Sequence, residues 1–483
     1  MKIIVIYDNN IPKNEIISDV AGDKSFADVI IKKRRTEEYI YDNIKTLFKD
    51  IVWKRIDNLS DYSEVIKYIA EFYEEDVKIL QCFSNYFIKD FEKVSLSYNK
   101  LYYIDEPYRI ILDRKIAGLM FPDAKKYVAY CKNIIAGQSV AEAANAIVNY
   151  FEIEGLVDLS ITNNIIRCIT GYFDSRYFNT LKEDEYTVTK ISVDKLKIKK
   201  EYTYYRLLPE DMKFWFVMPY DYREEQDTAS YKMERLHMTD LAVKYVHGSI
   251  DEAEFDSLLN RYFYFFSVRH SRICSPEKYK DTASELYADK VISRIDELKK
   301  HQNFEQISKY LSAGKINLDE LVEEYFLLKS DIENRNNYPK VEVIGHGDPG
   351  FANALYNKAT QTLKFIDPKG AISEDQLWTN PYYDIAKLSH CICGKYDFFN
   401  NGLFEIKVNE QLSCELNIPF NNDIHKQMFR KKLLENGFDY NTVRIYEVSL
   451  FLSMLPLHID NPYKVFGFIL NVKNILREIK NDF

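Results

Sequence analysis

Short apolar runs alternate with amphipathic stretches over residues 1–155, and this alternation restricts the folds open to that part of the chain. Runs rich in β-branched and aromatic residues predict strands over 2–7, 51–56, 77–83 and 101–105. The segments between them, such as 36–48 and 63–73, carry apolar residues at helical spacing. Because strand followed by helix is typical of a mainly parallel sheet, we predict an α/β domain here.

The pattern changes after residue 172. A polar turn at 182–184 predicts a hairpin, a helix is expected over 195–208, and strands are expected within 212–222 and 230–236. From residue 241 the sequence is mostly helical, apart from a predicted strand pair at 353–357 and 363–367. We therefore predict a small antiparallel sheet with one helix over 172–240 and a helical lobe over 241–483.

Charge and hydropathy exclude several classes of protein. The chain has 65 basic and 74 acidic residues, a formal net charge of −9, which disfavours a general nucleic-acid binder. It contains no run of about 18 apolar residues, so no membrane span is predicted. The opening MKIIVIYDNN has the character of a strand and not of a signal peptide. Seven cysteines without regular spacing are typical of reduced thiols, so we expect a cytoplasmic protein.

One stretch of the helical region, VIGHGDPGFANALYNKATQTLKFIDPKG, concentrates polar residues between short apolar runs. It contains His346, Asp348, Asn353 and Asp367. Asp, Asn and Gly are ordinary turn residues, so a plain turn, strand and turn is one interpretation. A site that handles phosphate is the other.

Three motifs in this region resemble one family. HGDPGFAN resembles the catalytic loop of the aminoglycoside phosphotransferase and choline kinase families, whose pattern is His-x-Asp, four residues, then Asn. FIDPKG resembles their metal-binding strand end, and NPYYDIAKLSH resembles the segment in which an Asp opens a helix that braces the catalytic loop. The motifs occur in the family's order. The resemblance implies a bilobal, protein-kinase-like fold and ATP-dependent phosphoryl transfer.

The resemblance also implies a role for each residue of the motifs. Asp348 would orient the acceptor hydroxyl and take its proton. Asp367 would bridge Mg²⁺ to the phosphates of ATP, and Asn353 would hold a second metal or the leaving side. His346 and Asp384 would be structural supports.

The predicted sheet lobe should supply the groups that bind the nucleotide. Alternation in EYTVTKIS places Val188 and Lys190 on one face of a strand, so Val188 could cover the adenine while Lys190 reaches the phosphates. A lysine is costly in an apolar strand unless it is paired, and Glu201, opening the next helix, is the expected partner. The alternatives are an exposed edge lysine and a glutamate favoured by the helix dipole.

Two further features of this lobe concern the nucleotide. YKMERL resembles the hinge between lobes, where the backbone of Met233, Glu234 and Arg235 would bond the adenine edge. No glycine-rich loop precedes the strand, so Asn179 and Thr180 would cover the phosphates instead. This departure leaves both ATP and GTP open.

Residues 1–155 resemble, more faintly, the sugar-nucleotidyltransferase (GT-A-like) fold. Fusions of such a domain to a choline-kinase-like domain occur in bacterial capsule and lipopolysaccharide gene clusters. Nucleotidyl transfer needs a glycine-rich loop after the first strand, but the first glycine of this chain is Gly22, and Ser84 stands where a metal-binding Asp is expected. We therefore predict a domain that binds or packs but does not catalyse.

The sequence as a whole predicts an Mg²⁺-dependent kinase. It would transfer a phosphoryl group from ATP to a hydroxyl of a small sugar, polyol or amino alcohol destined for a bacterial surface polysaccharide. The alternatives are a bifunctional kinase and nucleotidyltransferase, and an inactive pseudokinase scaffold. The filled acid and amide positions count against the scaffold. Acceptor specificity is assigned to the helical insert 241–335, which contains no recognisable motif, and the sequence does not indicate an oligomeric state.

Overall fold

The computed structural model describes residues 2–31, 33–170, 179–183, 186–236, 238–336, 339–408 and 414–482. The chain forms two compact units, 1–173 together with 247–249, and 174–246 together with 250–483. In the described residues, no helix is long and apolar enough to cross a membrane.

The N-terminal unit contains strands and helices in mixed order. Its strands are β1 (Lys2–Asp8), β2 (Ile30–Ile31), β3 (Arg34–Arg35), β4 (Ile51–Ile56), β5 (Val77–Phe83), β6 (Tyr86–Ile88), β7 (Tyr108–Leu112), β8 (Lys115–Phe121), β9 (Asn149–Glu152) and β10 (Leu156–Asp158). Its helices are α1 (Glu15–Ala21), α2 (Thr36–Leu47), α3 (Asp61–Ala70), α4 (Phe91–Tyr98), α5 (Ala124–Ile135), α6 (Val140–Asn145) and α7 (Thr162–Thr170).

The main sheet of this unit is mixed, with three parallel and two antiparallel strand pairs among its described strands. Its described strands follow the order β4-β1-β5-β8-β7-β9. β1 runs parallel to β4 and β5, whereas β8 is antiparallel to β5 and β7. The strand predicted over 101–105 is wrong, because Asn99–Tyr102 forms a 3₁₀ helix. Leu101 and Ile104 are buried while Tyr103 is exposed, and this spacing of three fits a helical turn.

The N-terminal unit continues beyond the predicted boundary at residue 155. β10 pairs in antiparallel fashion with β6, so that Leu156 lies opposite Ile88. Helix α7 then follows within the same unit. The boundary is hidden in the sequence because β10 is only three residues long.

The second unit begins with a sheet and continues with helices. Its strands are β11 (Asn179–Glu183), β12 (Thr187–Ser192), β13 (Pro219–Glu224), β14 (Ala229–Glu234), β15 (Thr239–Asp240), β16 (Ser271–Ile273), β17 (Val341–Ile344), β18 (Ala354–Asn357), β19 (Thr362–Phe365), β20 (Trp378–Thr379), β21 (Glu405–Val408) and β22 (Cys414–Asn417). Its helices are α8 (Lys195–Leu207), α9 (Glu210–Lys213), α10 (Leu241–His247), α11 (Glu252–Val268), α12 (Pro276–Ser284), α13 (Lys290–Lys300), α14 (Phe304–Ala313), α15 (Leu318–Arg335), α16 (Tyr383–Ile392), α17 (Tyr396–Asn400), α18 (Asp423–Glu435), α19 (Tyr440–Met454) and α20 (Pro462–Asn481).

The first sheet of the second unit is antiparallel, in the order β11-β12-β14-β13, with α8 following β12. The predicted turn at 182–184 falls partly outside the described residues, and Lys182 and Glu183 belong to β11. The strand predicted within 212–222 begins only at Pro219, because Glu210–Lys213 forms a helix.

The helical part is interrupted by the hairpin β18–β19, in which Ala354 lies opposite Phe365. Two segments with polar residues flank this hairpin, one before β18 and one after β19. The segment after β19 touches α8, since the Ala371 N–H donates to the Lys200 carbonyl at 3.0 Å. Gly370 has φ +84°, and a Cβ there would lie 2.7 Å from the Lys200 carbonyl carbon, so only glycine fits without strain.

Candidate functional site

The loop between β17 and β18 is held by a buried carboxylate of α16. Asp384 accepts the backbone N–H groups of His346 at 2.9 Å and Gly347 at 2.8 Å. The Arg269 guanidinium donates to the same carboxylate at 3.1 Å, and both side chains are buried. A carboxylate that receives backbone donors and a buried cation fixes the loop firmly.

His346 links the loop to the end of β19. Its Nδ1 accepts the Asp348 N–H at 3.0 Å, and its Nε2 lies 3.0 Å from the Ile366 carbonyl oxygen. These partners assign the ring hydrogen to Nε2. Burial lowers the pKa of His346, so the ring stays neutral at physiological pH. The residue therefore positions the acids on either side of it.

Asp348 presents a carboxylate to solvent, with its side chain 47% exposed. One oxygen lies 3.1 Å from Lys387 Nζ, and the other accepts the Asn353 side-chain amide at 3.2 Å. Burial favours the neutral acid, but the charge of Lys387 outweighs burial and places the pKa of Asp348 below its ordinary value. The group is thus ionised and accessible, as a residue that receives a hydroxyl must be.

Asn353 and Asp367 lie at the two ends of the β18–β19 hairpin. The Ile366 N–H donates to the Asn353 carbonyl at 3.0 Å, which holds the ends together. The Asn353 amide also donates to the Asp348 carbonyl at 2.9 Å. Asp367 adopts a left-handed backbone with φ +54°, and its side chain is 39% exposed.

Lys190 connects the sheet, α8 and the hairpin. Its Nζ lies 2.8 Å from Glu201 Oε2 and 2.8 Å from Asp367 Oδ1. The Tyr231 hydroxyl donates to the same oxygen of Glu201 at 3.0 Å. Burial opposes the charge on Lys190, but Asp367 and Glu201 outweigh burial and raise the pKa of the lysine. A buried charge with two acid partners is fully compensated.

The structure overturns both simpler explanations of the pair. Lys190 is not at an exposed edge, because β12 lies between β11 and β14 and the side chain is 3% exposed. Glu201 does not open the helix, because α8 begins at Lys195 and Glu201 lies in its middle. A helix-dipole role for Glu201 is therefore wrong.

The donor set at the hairpin ends fits Mg²⁺. A carboxylate from Asp367 and an amide oxygen from Asn353 are hard oxygen ligands, and Mg²⁺ usually takes one or two such ligands from a protein. Among the residues that the structure describes, no group of three or more His, Cys, Asp or Glu side chains could hold a metal. A cation here would complete its shell with phosphate and water oxygens.

The predicted adenine-binding residues take ordinary places in the sheet. Val188 lies opposite Met233, and Glu234 lies opposite Thr187. The Arg235 N–H donates to the Tyr186 carbonyl at 2.8 Å. The adenine contact predicted for Met233, Glu234 and Arg235 stays a prediction.

Asn179 occupies the first position of β11, opposite Ser192. Its side chain lies outside the described part of the structure. Its predicted contact with the phosphates therefore stays a prediction.

Lys387 is a residue of this site that was not predicted from the sequence. Asp384, Lys387 and Cys391 are spaced i, i+3 and i+7 on α16, and all three face the loop. Cys391 Sγ accepts the Phe351 N–H at 3.3 Å. This spacing, counted from the bracing Asp384, is the signal that could have identified the lysine.

No protein-family model matches the chain, and no curated protein is similar to it. Solved structures that resemble it include the apo form of a thermostable mutant of aminoglycoside phosphotransferase APH(4)-Ia, with 12% identity, 63% of this chain and 94% of that chain covered, and a TM-score of 0.37. A further variant of that enzyme in ternary complex with ADP and hygromycin B is 13% identical, with 63% of this chain and 94% of that chain covered and a TM-score of 0.38. The streptomycin–ATP–APH(2″)-IIa ternary complex is 16% identical, with 63% of this chain and 89% of that chain covered and a TM-score of 0.34. At such low identities and scores, the function must be argued from the geometry of the site itself.

Proposed function

We propose that this protein is an ATP- and Mg²⁺-dependent kinase that phosphorylates a hydroxyl group of a small molecule. The observation that carries the proposal is the arrangement of four charged groups around one hairpin. Lys190 touches both a helix acid, Glu201, and the strand-end acid, Asp367. Asp348, on the braced loop before the same hairpin, offers an exposed carboxylate. Phosphoryl transfer needs this combination of positioning and charge compensation.

Each residue acts at a definite atom. Asp348 receives the acceptor hydroxyl, orients its oxygen and takes its proton. Lys190 Nζ has three hydrogens, of which two are used by Glu201 and Asp367, so the third can reach a phosphate oxygen. Asp367 and the amide oxygen of Asn353 would hold Mg²⁺, which when bound neutralises phosphate charge. His346 and Asp384 keep the two acids in place.

The acceptor that we propose is a sugar, polyol or amino alcohol that enters a bacterial surface polysaccharide, phosphorylated in the cytoplasm. Residues 1–155 would bind or pack without catalysis in that protein. The motifs HGDPGFAN and FIDPKG support the reaction type, and the polysaccharide context rests on the resemblance of the N-terminal residues.

The test is nucleotide binding followed by turnover. Calorimetry should show Mg²⁺-dependent ATP binding, and a coupled ADP assay with sugars, polyols and amino alcohols should detect transfer. Asp367→Ala should weaken binding in Mg²⁺ as well as turnover. Asp375→Ala, which removes a 91% exposed acid eight positions further on, is the matched control and should change neither. An unchanged ATP affinity in Asp367→Ala would remove this residue as the metal ligand.

A further inference from the structure

One lysine contacts the carboxylate assigned to the acceptor hydroxyl, and the charge of a second lysine reaches it. Lys387 Nζ lies 3.1 Å from Asp348 Oδ1, with its own side chain 20% exposed. Lys290, from α13, is half-buried and also acts on Asp348, since the charges of both lysines lower the pKa of that acid. The helix that carries Lys290 belongs to the helical insert to which acceptor specificity is assigned.

Tyr383 of α16 links the two lysines. Lys290 Nζ lies 3.4 Å from the Tyr383 hydroxyl. Tyr383 and Lys387 are four residues apart on α16, which is the spacing of neighbours on one helix face. The Tyr383 hydroxyl also contributes to the raised pKa of Lys387, so the tyrosine interacts with both cations.

An unusual turn positions Lys290. Glu285–Asp289, directly before α13, forms a π-helix, a rare geometry that is frequent at functional sites. Tyr287 in this turn stacks on Tyr446 with ring centres 3.7 Å apart, and its hydroxyl donates to Asn380 at 3.1 Å. Because the turn is pinned by buried contacts, the start of α13 is held beside α16.

The local charges leave a surplus of cations for a ligand. One acid, Asp348, is matched by two lysines, and each ammonium group has three hydrogens to donate. Asp397 also acts on this region but is buried and 2% exposed, so a ligand cannot reach it. Asp289, next to Lys290, is exposed and is held by the Ser284 hydroxyl at 3.2 Å.

We propose that Lys290 and Lys387 bind an anionic group of the acceptor, so that the substrate is a sugar or polyol that carries a carboxylate or a phosphate. This inference rests on the proposed kinase function and narrows its substrate class. In the reaction, the acceptor oxygen bonds to the γ-phosphorus of ATP while the bond from that phosphorus to the bridging oxygen of ADP breaks. The hydroxyl proton passes to Asp348 and then to water. A cationic amino alcohol would be repelled by the two lysines.

The first experiment compares acceptors that differ only in charge. Glucose, glucuronate, glucose 6-phosphate and glucosamine form one series, and glycerol, glycerate and glycerol 3-phosphate form another. Calorimetry measures binding, and the coupled ADP assay measures kcat/KM. We expect at least one anionic member to exceed its neutral relative by about tenfold or more, and glucosamine to be poorest. The better anion identifies carboxylate or phosphate. Neutral or cationic members that equal or exceed the anions, or anions that do not bind at 10 mM (about the weakest binding that calorimetry detects), would overturn the inference.

The second experiment uses variants of the full-length chain. Lys290→Gln should remove the preference for the anion, Lys290→Arg should retain most of it, and thermal unfolding should show that both fold. The control is Lys300→Gln, at the exposed end of the same helix, which should behave as wild type. ATP affinity should stay unchanged in all three variants.

The outcomes separate the two proposals. Anion binding that depends on Lys290 but is never followed by transfer would contradict the kinase and leave the anion site standing. Transfer to an anionic acceptor that is unaffected by Lys290→Gln would support the kinase and overturn the anion site. A loss of ATP affinity in Lys290→Gln would assign the lysine to the nucleotide and would also overturn it.

Discussion

Two acids, one in each unit, end or follow a strand and yet have opposite surroundings. Asp8 closes β1 in the N-terminal unit, is fully buried, and accepts the Gln81 side-chain amide at 2.9 Å as well as the Tyr62 hydroxyl. Burial raises its pKa. Asp348 follows β17 in the second unit, is half-exposed, and faces Lys387, which lowers its pKa.

The difference lies in the partner and in access to solvent. Neutral donors that enclose a carboxylate satisfy its hydrogen bonds and leave nothing for a ligand, which is the arrangement of a structural acid. A cation beside an exposed carboxylate keeps it ionised and available. A carboxylate at a strand end therefore does not identify a functional site by itself. Its hydrogen-bond partners and its exposure show whether it is structural or available to a ligand.

The largest expected effect is on turnover. Asp348→Asn should lower kcat by roughly 10²–10⁴, the usual contribution of a general base, while Mg²⁺-dependent ATP binding stays nearly intact. The same acid-to-amide change at Asp8 should leave kcat unchanged. A coupled ADP assay and calorimetry on both variants check the contrast. Wild-type turnover in Asp348→Asn would remove its assignment.

Lys190→Ala should have the next largest effect. The lysine compensates Glu201 and Asp367, so its loss should raise KM for ATP and lower kcat, together by about 10²-fold in kcat/KM. Steady-state kinetics at several ATP concentrations provide the measurement. Lys232→Ala, on the adjacent strand with a half-exposed side chain, is the control and should behave as wild type. Equal kinetics for the two variants would contradict the role of Lys190.

The pH dependence of stability should have opposite signs at the two acids. Asp8 keeps its proton in the folded state above its unfolded pKa of about 4, so wild type loses stability as pH rises through that window. The free energy of unfolding of Asp8→Asn, relative to that of wild type, should therefore increase as pH rises. Asp348, with its lowered pKa, loses stabilisation as pH falls below that unfolded value, so Asp348→Asn should gain on wild type as pH falls.

Urea unfolding of the three proteins between about pH 3 and 6 covers the window of Asp8 above about pH 4 and the onset of the loss at Asp348 below it. The free energy of unfolding of each variant, relative to wild type, gives the two slopes. Slopes of the same sign would mean that the two environments do not differ as described.

The smallest expected effect is none at all, in the N-terminal unit. Nucleotidyl transfer needs backbone donors, cations and a metal carboxylate, and Ser84 follows β5 where the acid is expected. We predict no pyrophosphate release with CTP, UTP, GTP or ATP and phosphorylated acceptors. Mg²⁺-dependent release that survives Asp348→Asn but not changes in the N-terminal unit would instead support the bifunctional alternative.

The strands and helices with strong periodicity follow the sequence closely. β1, β4 and β5 match their predicted runs within one residue, and α8 and the β18–β19 hairpin lie where expected. The errors occur where local pattern is ambiguous. The run at 101–105 has the composition of a strand, but its first residues belong to a helical turn. The end of β5 pairs with β8 of the β7–β8 hairpin in antiparallel fashion, and the sequence did not predict this pairing.

Only those site residues that stand in a motif or a regular pattern could be predicted from the sequence. Asp348, Asn353 and Asp367 stand in recognisable patterns, and Lys190 lies in an alternating strand. Lys290 and Lys387 come from α13 and α16, which both pack on α19 and lie about 90 residues apart in the chain. Contacts of that separation leave no local pattern.

The close approach at Gly370 sets the spacing of two acids. Its neighbour across the contact, Lys200, immediately precedes Glu201, while Asp367 lies three residues before the glycine. Lys190 spans these acids with two bonds of equal length, 2.8 Å each. A methyl group at position 370 would push the loop away from the helix. The ammonium group of Lys190 could then keep only one of its two ion pairs.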